Sequence, residues 1–315
     1  ESYGKLYVSN SDPSVENDYI LASLAYVKKD YQNAISTANK IIQQSNNNAK
    51  PRVYRLLAYS YLDTKDTAKA CEFSNQFLAK AGQEDLLAND FILHANTCGA
   101  NDPAVVNADI DRALSLDTVL SSQIALINKF VTTARTNKQY GLEGRLMLKS
   151  HELRAGQANP ADLFYIGTRF YYGNDFPTAD TVFSSYVAAF PDTVNGYYWR
   201  ALSRAQMDSG MKAGLAVPDL EKTITLAEPS KERFKDQAAQ AAQMLALYYN
   251  NVKKDRPAAQ AIVAKGLEFD PANATLQTLS KQLGGGANKP AASTGKAGDS
   301  KTSAASSTET SKTKR

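Results

Sequence analysis

The sequence predicts an all-α protein made of repeated helical hairpins, and three observations support that fold class. Apolar residues recur at helical spacing in short segments that are separated by tight, polar turns. Equivalent positions return after 36 residues over much of the chain. Several segments end in Asp-Pro, Phe-Pro or Glu-Pro, and proline cannot continue a helix. An interval of this length is typical of a helical repeat array, in which each unit covers the apolar face of its neighbour.

The clearest unit spans residues 163–191 and consists of a predicted helix, a turn and a second helix. One face of the first helix carries Leu163, Ile166, Gly167 and Phe170. After a turn at 173–175, the second helix presents Ala179, Phe183 and Tyr186. Because Gly167 and Ala179 are small, we expect the two helix backbones to approach closely there. Pro191 then ends the unit.

This pattern, Leu-x2-Ile-Gly-x2-Phe followed by Ala-x3-Phe and Pro, resembles the tetratricopeptide repeat (TPR), with Leu163 in the position that is usually Trp. The resemblance extends over about 12–283. It implies a right-handed superhelical solenoid of about seven helix-turn-helix repeats with a C-terminal capping helix. We therefore divide the chain into a solenoid at 1–283, whose first repeat is incomplete, and a tail at 284–315. The tail is rich in Ala, Ser, Thr and Lys, which predicts disorder.

The first three full units keep a regular interval. The first runs from about residue 13 to residue 42. The second has Leu57 and Ala58 on its first helix, and Leu93 and His94 follow 36 residues later in the third. Val106 replaces the small residue that opens the second helix of that third unit. A fourth unit, at 123–154, is degenerate, meaning that it matches the repeat pattern weakly. Its neighbours are expected to keep it at the same interval.

The later units are more distinct. Trp199 follows Leu163 by 36 residues, which places it in the usual Trp position of the sixth unit. A longer turn at 211–218 comes next, where Pro218 is tolerable only in the first turn of a helix. The last unit combines a long helix at 231–251 with a helix at 257–269. Residues 274–283 are expected to cover the final apolar face.

Composition and charge exclude several classes of function. Of the 315 residues, 43% are hydrophobic and 9% aromatic, as in ordinary globular proteins, and no apolar run approaches a membrane span. The net charge of +4 lies entirely in the tail, so the body is formally neutral and a nucleic-acid-binding body is not expected. The tail is interpreted as a solvated linker, with weak contact to an anionic surface as the alternative.

Catalytic and metal-binding patterns are absent from the sequence. His94 occupies a helix-packing position, and His151 begins His-Glu-Leu-Arg, which lacks the second histidine of a helical zinc site. Neither a phosphate-binding glycine loop nor a spaced Cys/His set occurs. We expect no enzyme activity and no cofactor. The two cysteines, Cys71 and Cys98, are interpreted as reduced packing residues, with one bridge between neighbouring units as the alternative.

The resemblance implies that the exposed positions of the first helices contact a partner. These positions hold aromatic and basic side chains, which dominate binding hot spots. The predicted inner-face set is Tyr19, Tyr26, Arg52, Arg55, Tyr59, Phe91, Arg135, Phe164, Tyr171, Tyr172, Tyr197, Arg200, Arg204 and Met207. The alternative is that half of the tyrosines only pack against adjacent helices.

The leading hypothesis is a non-enzymatic scaffold that holds a protein or peptide partner in a concave groove. The arginines favour an acidic partner, because guanidinium groups bind carboxylates in pairs of hydrogen bonds. The clamp with which one TPR subtype binds a C-terminal carboxylate is not present, since Tyr19, Ser23, Arg55 and Tyr59 stand in its positions. The alternative function is recognition of a glycan or cell-envelope polymer by the same surface.

A second resemblance bears on localisation. The run Trp199-Arg200-Ala201, the insert, then residues 214–218 and Glu221-Lys222 resemble the final repeats of secreted or envelope-associated TPR proteins of Gram-negative bacteria. It implies a periplasmic or secreted protein, with the cytoplasm as the alternative.

Overall fold

The computed structural model describes residues 14–99 and 102–284, and within these ranges it contains fifteen α-helices and no strand. The helices are α1 Val15–Val27, α2 Tyr31–Gln44, α3 Pro51–Asp63, α4 Thr67–Lys80, α5 Ala88–Cys98, α6 Pro103–Leu116, α7 Leu120–Thr136, α8 Tyr140–Leu153, α9 Asp162–Tyr172, α10 Phe176–Ala189, α11 Val194–Met207, α12 Val217–Ala227, α13 Lys231–Asn251, α14 Arg256–Phe269 and α15 Ala274–Gly284.

Consecutive helices pack in pairs, from α1/α2 to α13/α14, and α15 packs against α14 at the end. These are seven hairpins and a capping helix, so the predicted all-α solenoid is confirmed. The helix bounds also confirm Pro218 within the first turn of α12. The predicted incomplete first repeat and the predicted disordered tail lie outside the described residues, apart from Gly284 at the end of α15.

Four of the hairpins share one turn. A Lys or Asn adopts a left-handed conformation, as Lys29 does with φ of 64°, and an aspartate follows it. That aspartate is the N-cap of the second helix, and its carboxylate accepts a hydrogen bond from the backbone N–H three residues on. The N-cap aspartates are Asp30, Asp66, Asp175 and Asp255. The repeated turn fixes the angle at which each second helix folds back.

The helices are held by four apolar clusters that follow one another along the array. In the fifth hairpin, Leu163, Ile166 and Phe170 of α9 meet Ala179 and Phe183 of α10. A Cβ atom at Gly167 would lie only 2.7 Å from the Phe183 ring. The ring therefore occupies the space that a larger residue would need, which confirms the close helix approach expected from the sequence.

The stacking is less regular between the third and fourth hairpins. Here α6 and α7 barely contact each other, and α6 instead packs against α8. Lys149 on α8 forms an ion pair with Asp111 on α6. The Gln123 amide donates to the Leu114 carbonyl at 3.0 Å. The degenerate fourth unit is thus a complete hairpin, but polar bonds replace part of the helix packing at its junction.

In the sixth hairpin, the buried positions of α11 differ from those that the sequence predicts. Tyr198 and Ala201 of α11 are buried, whereas Trp199 is only half-buried. The Trp199 ring stacks on Phe183 of the preceding hairpin, with ring centroids 6.3 Å apart. Trp199 therefore lies between hairpins instead of filling the centre of its own, and the predicted equivalence with Leu163 does not hold in the packing.

The buried carboxylate of Asp208 orders the insert between α11 and α12. Asp208 accepts hydrogen bonds from the backbone N–H groups of Ala213, Gly214 and Leu215 at 3.0, 2.8 and 3.2 Å. These bonds stabilise the charged form, and the Ala213 N–H is the largest cause of the lowered pKa of Asp208. The longer turn predicted at 211–218 is therefore ordered by one side chain.

A disulfide joins the second and third hairpins. It links Cys71 on α4 with Cys98 at the end of α5, and both cysteines of the chain are used. The interpretation of both cysteines as reduced packing residues is therefore wrong, and the alternative of one bridge between neighbouring units holds. Sequence alone does not reveal this pairing, because it depends on how closely α4 and α5 approach.

Candidate functional site

The predicted inner-face residues all lie on first helices of the hairpins, from α1 to α11. This agrees with the placement that the TPR resemblance implies. Their side chains differ in availability, however, because several are already bonded within the array. The surface that remains accessible is consequently smaller than the predicted set.

The two arginines of α11 are bound to carboxylates. Arg200 donates to both oxygens of Asp219 through Nε at 3.0 Å and Nη2 at 2.6 Å. Arg204 donates to Asp219 at 2.9 Å and to Asp180 at 2.7 Å. Asp219 is only 2% exposed, so its charge requires these partners. Both guanidinium groups therefore join α11 to α10 and α12.

The arginines of α3 are bonded in a similar way. Arg55 donates to Asp90 at 2.9 Å and lies 4.4 Å above the Phe77 ring. Arg52 forms an ion pair with Glu16 and lies 4.3 Å above the Tyr19 ring. Burial raises the pKa of Asp90, although Arg55 and a backbone N–H act against that shift. These arginines and Tyr19 therefore connect neighbouring hairpins.

Arg135, the fifth arginine of the predicted set, contacts a buried acid. Its Nε donates to Glu143 at 2.7 Å, and the Glu143 side chain has no exposed surface. More than half of the Arg135 side chain remains exposed. Arg135 is thus the most accessible of the five arginines.

Four tyrosines of the set pack against neighbouring side chains. The Tyr26 hydroxyl donates to Asp63 at 2.6 Å, and burial followed by this bond raises the pKa of Tyr26. Tyr59 is half-buried beside Tyr26, and burial raises its pKa as well. Tyr171 packs edge-on against Trp199 at 5.2 Å, and Tyr197 lies under Arg200 at 5.2 Å. These four rings match the packing alternative, while remaining half-exposed.

Among the remaining members, exposure varies. Phe164 is half-buried against Phe183 and Tyr186. Phe91 is half-buried, and Met207 is 38% exposed. Tyr172 is the most exposed aromatic residue of the predicted set, at 50%. It is the member around which an accessible surface can be traced.

Tyr172 belongs to a contiguous surface on the fourth to sixth hairpins. The Arg169 guanidinium lies among three tyrosine rings, 4.3 Å from Tyr165 and 5.4 Å from both Tyr140 and Tyr172. Tyr172 continues to Trp199 at 5.7 Å. We call these five residues, Tyr140, Tyr165, Arg169, Tyr172 and Trp199, the central aromatic surface. It offers flat ring faces and edges on a rigid helical base.

Most of this surface was not singled out by the sequence. Tyr140 opens a second helix, and Tyr165 and Arg169 lie beside the core positions of α9, so none of them occupied the expected inner positions. Their only signal is a high local density of tyrosine, since Tyr140, Tyr165, Tyr171 and Tyr172 occur within 33 residues. Density alone does not show that the rings meet.

Among residues 14–99 and 102–284, no group of three His, Cys, Asp or Glu side chains is arranged to hold a metal ion. In those ranges, every helix is too short or too polar to cross a membrane.

The helix order, the shared turns and the pairwise packing now define the architecture. The chain is an array of TPR-like helical hairpins. No protein-family model matches its sequence, and no curated protein matches it significantly.

Solved structures of TPR proteins show a distant similarity. The C-terminal part of a TPR repeat-containing protein from Cytophaga hutchinsonii is 22% identical, covers 83% of this chain and 98% of its own, and has a TM-score of 0.45. Yeast Tom70 is 18% identical over 87% of this chain and 57% of its own, with a TM-score of 0.36. The TPR2AB domain of yeast Sti1, in complex with an HSP90 peptide, is 17% identical over 86% of this chain and 98% of its own, with a TM-score of 0.29.

Proposed function

We propose that this protein is a non-enzymatic scaffold that holds a protein or peptide partner against the central aromatic surface. The observation that carries the proposal is the exposure of Tyr172 and Tyr165, at 50% and 38%, on either side of the embedded Arg169. Exposed rings beside a guanidinium are the composition of binding hot spots. Because helices hold all of these side chains, little ordering entropy is lost on binding.

Less positive charge is available to a partner than the sequence suggested. Arg52, Arg55, Arg200 and Arg204 are each bonded to carboxylates of the array, so they have little capacity for an acidic partner. In this proposal the affinity comes mainly from ring contacts, and charge selects among partners. An acidic partner remains a prediction, and Arg135 is the most accessible of the five arginines for binding one.

The test is partner capture with matched variants of the full chain. Tyr172→Ala should weaken capture at least tenfold, since a hot-spot residue contributes about 2 kcal/mol or more. Leu247→Ala is the control, because Leu247 is 43% exposed on α13, far along the chain from the surface. Equal capture by both variants, with unchanged melting temperatures, would refute the proposal.

The same experiment separates the alternative function. Stacking of a sugar ring on Tyr165 and Tyr172 uses the same geometry as stacking of a protein side chain. Adding soluble oligosaccharides during capture distinguishes the two. Competition by the oligosaccharide, together with resistance to proteolysis of the bound material, would indicate a glycan or envelope polymer in place of a protein.

The proposal includes a periplasmic or secreted location. A structural disulfide supports it, since disulfides persist in oxidising compartments and are rare in the cytosol. Thiol labelling in intact cells should leave Cys71 and Cys98 unmodified until a reductant is added. Labelling of both cysteines without reductant would favour the cytoplasmic alternative.

A further inference from the structure

A cleft of about 280 Å³ lies at the junction of the fourth and fifth hairpins, formed by α7, α8 and α9. Its apolar side is formed by Val131, Met147 and Ile166, of which Ile166 is almost completely buried. The cleft is at the lower end of the sizes found for small-molecule sites, so it suits one side chain or one terminal residue.

The polar side of the cleft contains hydrogen-bonding groups that have no partner within residues 14–99 and 102–284. Ser150 is only 5% exposed, and its hydroxyl oxygen makes no hydrogen bond to any described residue. Helical Ser60 and Ser203 instead donate to the carbonyl four residues earlier, at 2.8 and 2.9 Å. An unbonded buried hydroxyl is costly, so Ser150 marks a place where a ligand atom would be stabilised.

Two further groups next to Ser150 also lack a partner in the described part of the chain. The Nδ1 atom of His151 is buried and has no hydrogen-bond partner there. Arg154, which follows α8, forms no ion pair with any residue in the described ranges. This contrasts with Arg200 and Arg204, which are fully engaged by carboxylates. The cleft therefore combines a hydroxyl, an imidazole and a guanidinium that forms no ion pair with the described residues.

We propose that this cleft binds a carboxylate carried on a short apolar stem. Arg154 supplies the charge and paired N–H donors, Ser150 and His151 supply further donors, and the apolar side holds the stem. Asp162 also lines the cleft and has no ion pair in the described chain. Its carboxylate can accept a hydrogen bond from an N–H of the ligand, which a peptide backbone provides.

The ligand class is thus an acidic side chain or the C-terminal residue of a partner polypeptide. This inference rests on the proposed function, because it makes the cleft an anchor for part of the partner. It assigns carboxylate recognition to residues outside the predicted inner-face set, except for Arg135, whose side chain also lines the cleft.

The test is titration of the full chain, observed through its imidazole NMR resonances. The chain has two histidines, and His94 is the internal control because it is bonded to Asp109 and Asn75 in the third hairpin. The probes are N-acetyl-glutamate α-amide, which has only a side-chain carboxylate, and N-acetyl-alanine, which has only a terminal one. N-acetyl-glutamine α-amide is the neutral control.

The His151 resonances should shift with at least one carboxylate probe, and the His94 resonances should not. The more strongly bound probe shows whether a side chain or a C-terminus is preferred. Equal responses of His151 to all three probes, or no response, would overturn the proposal. Partner capture that still depends on Tyr172 would leave the proposed function standing in that case.

Variants test the donors separately. Arg154→Gln should lower the affinity for the probe about tenfold. Arg233→Gln, at an exposed arginine of α13, should leave that affinity unchanged. Ser150→Ala removes an unbonded buried hydroxyl, so it should weaken binding without lowering the melting temperature. Unchanged probe affinity in both cleft variants would show that the probe binds elsewhere.

Discussion

The Arg200 guanidinium donates to both carboxylate oxygens of Asp219, at 3.0 and 2.6 Å, and this pair joins α11 to α12. An arginine expected on a binding surface is therefore part of the connection between two helices. The distinction changes what substitution of this residue will do.

Arg200→Ala should lower the free energy of unfolding by about 3 kcal/mol, because it removes a partner from a buried carboxylate. Urea denaturation measures this, with Arg233→Ala as an exposed control. Charge reversal at Arg55, Arg200 and Arg204 should lower the melting temperature for the same reason, so loss of binding in such a variant would report unfolding as well. An unchanged midpoint for Arg200→Ala would contradict the observed pairing.

Removal of the disulfide should also destabilise the array. The bridge closes a loop between residues 27 apart in sequence. In the chain-entropy model, a loop of this size contributes about 3 to 4 kcal/mol to the free energy of unfolding. The double variant Cys71→Ser/Cys98→Ser should therefore unfold at lower denaturant concentration. Dithiothreitol should produce the same change in the native protein and none in the double variant; equal stability with and without the reductant would argue against the bridge.

The close approach of α9 and α10 gives a prediction with a matched glycine control. Gly167→Ala should cost about 1 to 3 kcal/mol, because the new methyl group would overlap the Phe183 ring. Gly156→Ala should have little effect, since no described atom other than those of the adjoining backbone and chain neighbours lies within 4 Å of the Cβ position there. Phe183→Leu in the Gly167→Ala background should recover part of the loss. Thermal unfolding of the native protein and these three variants measures the losses of stability. Equal effects at the two glycines would contradict the packing described for α9 and α10.

The Asp208 carboxylate makes stability depend on pH in the acid range. Backbone hydrogen bonds, chiefly from Ala213, hold the pKa of Asp208 below its ordinary value in the folded protein. A lowered folded-state pKa stabilises the protein above the unfolded-state pKa of about 3.9, and this stabilisation is lost as the pH falls through the folded-state value. Asp208→Asn should remove this component.

The measurement is the unfolding midpoint between pH 6 and pH 2 for both proteins. The native protein should lose more stability than the variant as the pH is lowered through the unfolded-state pKa and below it. Parallel curves would show that the bonds from the insert do not favour the charged form of Asp208.

The helical part of the fold follows from sequence because its information is local. The spacing around Leu163 and Ile166, and Asp175 after Asn174, specify two helices and their turn within a few residues. Pro218 marks the start of α12 for the same reason. The packing position of Trp199 depends less on the local sequence, because its ring can fill the gap between two hairpins as readily as the centre of one hairpin.

The candidate site was only partly predictable, because its groups meet across hairpins. Nothing near Arg55 in the sequence indicates that Asp90, 35 residues later, will neutralise it. Tyr172 was predicted as a surface residue, whereas its association with Arg169 and Tyr140 depends on the angle between α8 and α9. Unpaired groups such as Ser150 become visible only when the surrounding hydrogen bonds are known.

The bridge between Cys71 and Cys98 also has a mechanical consequence. If the molecule is stretched by its two ends, the hairpins can open in succession, but the 27-residue interval closed by the bridge cannot extend. A fully extended chain spans at most about 3.5 Å per residue, so about 90 Å of contour length should be missing from force-extension curves until the sulfurs are reduced. The second and third hairpins would then resist tension as one unit.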